Sequence, residues 1–253
     1  MAATDKGVFY EGAFGMRDLA KGPAMTLDAV FRIASMTKAV TSVAALQLVE
    51  QSKLTLDGPV LDIDPARRPI TLRHLLIHTA GFSCERWDAD TVRYVKASGM
   101  PSTRAGKVAA PRLPLVFDPG ERWEHGVNTD WVGLLVEARI GQKLDACFRQ
   151  HIFGPLGMED TGFATTSEQR ARQASVHQRQ ADGSLQLQPP EIPFTPEFWA
   201  GERRPVLDRA GHRDAPARAA ARRRPSGHAD RADSCLTPAS RQSAGYSAPM
   251  LPW

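Results

Sequence analysis

Ser35-Met36-Thr37-Lys38 is the pattern in this chain best suited to chemistry. On a helix, side chains three residues apart share a face, so Lys38 sits one turn beyond Ser35. A helix N-terminus favours developing negative charge, and a neighbouring amine in its neutral form can take a serine proton. The pattern alone is short enough to recur by chance, and its bland alternative is a serine cap followed by a solvated lysine. A second candidate is His125, within Trp123-Glu124-His125-Gly126-Val127-Asn128. Its ordinary pKa near 6.5 suits proton transfer, although an exposed loop histidine would look the same. His74 and His78 stand four apart, which could ligate a metal. No Glu follows His74 as in H-E-x-x-H, so a structural role is the better reading for the pair. His212-Arg213-Asp214 echoes a kinase catalytic loop without the downstream Asn or a Gly-rich loop, and G-x-S-x-G is absent.

These residues need elements to hold them. Residues 8–16 are rich in aromatics and glycine and read as strand-like. A helix is expected over 35–54, with Val43, Leu46 and Val49 among its apolar positions. Thr71 can cap a short helix that ends before Gly81. Residues 82–120 read as a long irregular region beside a cleft. Asn128 to Gly141 reads as a helix, with Trp131, Leu134, Leu135 and Ala138 on one face and Gly141 at its end. Asn128 is either that helix's cap or a polar residue behind His125. A further helix over Leu144 to Phe153 is expected to stop at Gly154-Pro155.

Several segments, taken in order, carry a resemblance. FRIASMTKAVTSVAALQLVEQSKLTLDGPV resembles the nucleophile segment of the β-lactamase-like serine hydrolases, a group that includes class C β-lactamases, penicillin-binding proteins and related esterases. YEGAFGMRDL is similar to the family's early strand and ITLRHLLIHTAGF to its LLxHTxG segment. FDPGERWEHGVNTDWVG resembles the stretch holding the second catalytic motif, and HIFGPLGMEDTGF the IFxPLGMxDTxF segment. The resemblance covers roughly residues 7–200. It implies an α+β fold of the β-lactamase/transpeptidase-like type, an antiparallel sheet beside a helical part. It implies Ser35 as nucleophile, Lys38 as base or proton relay, and acyl transfer to Ser35 followed by hydrolysis. The implied substrates are short-chain esters, as for a carboxylesterase, with amides or β-lactams as further possibilities. No metal or organic cofactor is implied.

The chain departs from the family's pattern in three places. His125 stands where the family has a catalytic tyrosine. No K-T-G-like triplet follows Phe163, and the strand carrying it supplies one oxyanion-hole amide; losing such a donor costs about 10²–10³ in rate. The connection between Val60 and Pro65 is shorter than usual, which suggests a deletion.

Composition sets the remaining bounds. The 253 residues carry a net charge of +4, but residues 202–253 hold ten Arg, no Lys and five acidic residues. Residues 1–201 hold 22 basic and 23 acidic residues, so the body has no electrostatic footprint for nucleic acid. Residues 202–231 contain nine Arg and seven Ala, with Val206 and Leu207 the only larger aliphatics. Such a segment cannot bury enough apolar area to offset its ordering entropy. Residues 1–201 are therefore read as an incomplete hydrolase domain. Residues 202–253 are read as an unstructured basic tail produced by out-of-frame translation, with the closing C-terminal strands missing. Apolar faces of the early strand and the Ser35 helix would then lie uncovered. Cys84, Cys147 and Cys235 lie far apart, which suits a reducing compartment such as the cytoplasm. No signal peptide or membrane span is expected. Three functions stay open: an active esterase-like hydrolase, a truncated inactive relative, and nucleic-acid binding through the tail. Natural substrate and oligomeric state are not legible.

Overall fold

The computed structural model describes residues 2–4, 6–19, 22–61, 68–188, 196–202 and 206–208. The deletion expected after Val60 and nearly all of the tail lie outside these residues.

The chain opens with a hairpin of β1 (Ala2–Thr4) and β2 (Gly7–Tyr10). The strand expected over 8–16 thus ends at Tyr10. Then β3 (Val30–Arg32) leads through a 3₁₀ turn, Ala34–Met36, into α1 (Thr37–Glu50). The pair β4 (Pro59–Leu61) and β5 (Ile70–Thr71) precedes α2 (Leu72–Leu76), and α3 (Ala89–Ser98) follows. The central helix α4 (Asn128–Ile140) is followed by α5 (Leu144–Phe148), a π-helical turn at Arg149–Phe153, and α6 (Gly154–Leu156). The described chain is completed by α7 (Ser167–Arg172), the hairpin β6 (His177–Arg179) with β7 (Leu185–Leu187), and β8 (Val206–Asp208). Among the described residues the strands form four antiparallel pairs, the last being β3 with β8. The fold class is α+β, as expected.

Helices α1 and α4 cross at the centre. The buried face of α1 is Thr37, Thr41, Ala44, Ala45 and Leu48. Val43 and Leu46, two of the apolar positions of the expected helix, are exposed. Small side chains win the inner face because they let α4 come close, and because residues 196–202 thread in beside both helices. At Gly201 a Cβ would lie 2.3 Å from the Thr129 carbonyl oxygen, so only glycine fits. Thr41 Oγ1 donates to the Gly201 carbonyl at 2.7 Å and secures that segment. Leu72, Leu75, Phe82, Val132, Val136 and Phe148 fill the surrounding core.

Local chemistry explains most element ends. Thr71 caps α2, accepting from the His74 N–H at 3.1 Å, while His74 Nδ1 accepts from the Thr71 N–H. Such a cap contributes about 1 kcal/mol and gives His74 a structural role. Gly141 ends α4 in the left-handed region at φ +68°. Three expectations need correction. Residues 82–120 include α3, started by the Asp88 side chain accepting from the Asp90 and Thr91 N–H groups. Gly154-Pro155 does not stop the helical path: proline is tolerated in a first turn, and the stop falls at Gly157, φ +69°. Nor is Ala138 on a core face, since α4 is buried nearly all round near its start and exposed there.

Phe9, Tyr10 and Phe14 near the N-terminus, and Val43 and Leu46 on α1, are exposed. The tail reading meets two buried or paired positions at its start: Glu202 is 1% exposed, and Val206–Asp208 form β8.

Candidate active site

The candidate nucleophile stands on strained backbone. Ala34, directly before Ser35, has φ +44°, a region that non-glycine residues rarely adopt. Its carbonyl accepts from Thr37 Oγ1 at 2.5 Å, which ties the turn to the start of α1. Ser35 is exposed there. Lys38 follows in the first turn of α1, partly buried.

Lys38 points to an acid. Its Nζ donates to Glu202 Oε1 at 3.0 Å. The same oxygen lies 3.1 Å from His125 Nε2. The Glu202 side chain is only 2% exposed, and its backbone N–H donates to Asp130 Oδ1 at 3.0 Å. Of the three candidate residues, Lys38 and His125 are thus brought together by one carboxylate. Among the described residues, Lys38 Nζ bonds to Glu202 and not to Ser35.

His125 is placed by a tight loop crossing. A Cβ on Gly126 would lie 2.5 Å from the Phe82 carbonyl oxygen and 2.6 Å from Ser83 Cα, so glycine alone allows that approach. The His125 ring stacks on His78, with centroids 5.2 Å apart and planes 16° apart. Trp87 tilts against the same His125 ring, with centroids 5.6 Å apart. Ser83 Oγ donates to Glu124 Oε1 at 3.2 Å, and the Glu124 N–H donates to the His78 carbonyl at 2.9 Å.

His78, read from the sequence as structural, packs its ring against that of His125. It occupies the left-handed region at φ +59°. Asn128 Nδ2 lies 3.1 Å from His78 Nδ1; the amide can only donate, so Nδ1 accepts. Asn128 is the first residue of α4 rather than its cap. Burial, and then the charges on His125 and Lys38, push the His78 imidazole down to about 4, against the opposing pull of Glu202. His78 is thus neutral near pH 7.

No rival nucleophile is evident among the described cysteines. Cys84 and Cys147 are buried, and burial pushes the Cys147 thiol up to about 11. Among the described residues no cluster of His, Cys, Asp and Glu could hold a metal, and His74 is spent on its cap. Sequence reasoning missed Glu202 and His78. Glu202 gave no signal because it lies past the last matching segment. His78 had one, its place in the LLxHTxG segment.

Helices packed around an S-x-x-K turn, with small antiparallel pairs beside them, define the β-lactamase/transpeptidase-like class of serine hydrolases. The chain belongs to the beta-lactamase family, whose model matches residues 1–226. It is 34% identical over 201 residues to the lovastatin esterase of Penicillium rubens, covering 68% of this chain and 50% of that protein. To esterase EstB of Burkholderia gladioli it is 32% identical, covering 64% and 46%. A selenomethionyl derivative of simvastatin synthase (LovD) from Aspergillus terreus superposes with a TM-score of 0.67 at 30% identity, covering 80% of this chain and 57% of that one. The D-alanine carboxypeptidase AmpC of Burkholderia cenocepacia shares the fold, with a TM-score of 0.56 at 20% identity over 82% and 58%. The chain spans about half the length of the curated relatives it matches.

Proposed function

We propose that this chain is a serine esterase in which Ser35 is acylated by short-chain esters, with amides or β-lactams as secondary substrates. Ser35 Oγ attacks the ester carbonyl carbon, its proton passes to Lys38 in its neutral form with His125 as relay, and the alcohol leaves with that proton. Water then attacks the acyl-enzyme, releases the acid and returns the proton to Ser35. The observation that carries this reading is the placement of an exposed serine on strained backbone at the head of α1, with two proton-moving side chains gathered one turn further in. Relatives named esterases support the choice of ester substrates. Buried cysteines such as Cys84 and Cys147 fit a cytoplasmic protein; among the described residues no helix is long and apolar enough to cross a membrane. Release of nitrophenolate from p-nitrophenyl acetate and butyrate tests the reading. It should fall to the uncatalysed rate in Ser35→Ala, and an equal rate in that variant would refute it.

A second reading, a catalytically silent family member, is favoured by one observation: Lys38 is bonded to Glu202 rather than to Ser35. The out-of-frame reading of the chain past residue 201 belongs with it. A coding sequence whose alternate frame past codon 201 specifies no Gly-rich strand and no K-T-G-like triplet would remove that part.

A further inference from the structure

We propose that Glu202 is an internal inhibitory clamp: its carboxylate holds Lys38 as a paired ammonium and ties His125 to it, withholding both from Ser35. This rests on the reading of Ser35 and Lys38 above. An ammonium has three donors and no lone pair, so it cannot accept the serine proton. The carboxylate is 2% exposed and its Oε1 receives both Lys38 Nζ at 3.0 Å and His125 Nε2 at 3.1 Å. A buried carboxylate without a cation is strongly disfavoured, so the pair holds firmly. Glu202 is itself fixed from both sides, because Gly201 is bonded to Thr41 on α1 and the Glu202 N–H to Asp130 on α4. The backbone that carries the acid is therefore held in place between the two helices. Lys38 is 23% exposed, so once released it would be hydrated rather than stranded.

The test compares the full chain with Glu202→Gln, which keeps shape and removes charge, and with Glu202→Ala as a second variant. Two rates are read by peptide mass spectrometry: fluorophosphonate labelling of Ser35, and acylation of Lys38 by a small amine-reactive ester, which needs the amine lone pair. Circular dichroism selects whichever variant stays folded. Both rates should rise roughly ten-fold or more, corresponding to loss of one charge-assisted hydrogen bond. Unchanged or slower Lys38 acylation in a folded variant overturns the clamp. Faster Lys38 acylation without any Ser35 labelling keeps the clamp and refutes the esterase reading instead.

Discussion

Acidification tests the placement of His78. Its ring accepts from Asn128, stacks on His125, and titrates near 4 instead of the usual 6.5. The unfolded chain takes up this proton near pH 6.5 and the folded chain only near 4. Unfolding therefore absorbs a proton between those values, and stability falls as pH drops through that window. At 1.36 kcal/mol per pH unit the full effect is at most about 3 kcal/mol. The ring is part-exposed, and solvent screening reduces this to about 1–2 kcal/mol. For a chain of this size that corresponds to roughly 3–6 °C in melting temperature. Melts at pH 7.5 and pH 4.5 should show the intact chain losing that much more than His78→Asn, a substitution that tolerates the left-handed backbone at this position. Equal losses in the two proteins would refute the neutral histidine.

Two further substitutions probe the loop that carries His125. Gly126→Ala would push a methyl into the backbone of Phe82 and Ser83; a shift of the loop costing about 1–3 kcal/mol is expected, read as a lower melting temperature, and an unchanged melt would show that the crossing is looser than described. If a basal esterase rate exists, His125→Tyr should raise it by restoring the phenol that the family resemblance implies there; a drop would mark His125 as an adapted base.

Much of this was legible in the sequence because the carriers are local. Thr71 caps α2 and Gly141 ends α4 through chemistry that a short window contains. Ser35 and Lys38 lie three apart in one local segment, so their spacing could be read without any long-range contact. The burial of α1 was not legible: Val43 and Leu46 look like core, yet Thr37, Thr41 and the alanines win because Gly201 and α4 press against them. The stop at Gly157 was misplaced because Pro155 sits where a first helical turn accepts it. Glu202 was invisible for a plainer reason. Its partners are 164 residues away at Lys38 and on the far side of a resemblance that had already ended, so neither period nor motif pointed to it.

The central claim is that Ser35 forms the covalent acyl intermediate. The most direct measurement is intact and peptide mass spectrometry after treatment with a fluorophosphonate. One adduct is expected, on the peptide containing Ser35, absent in Ser35→Ala and suppressed in Lys38→Ala, where the serine loses its proton acceptor. An adduct mapped to another residue, or one that persists in Ser35→Ala, would contradict the account.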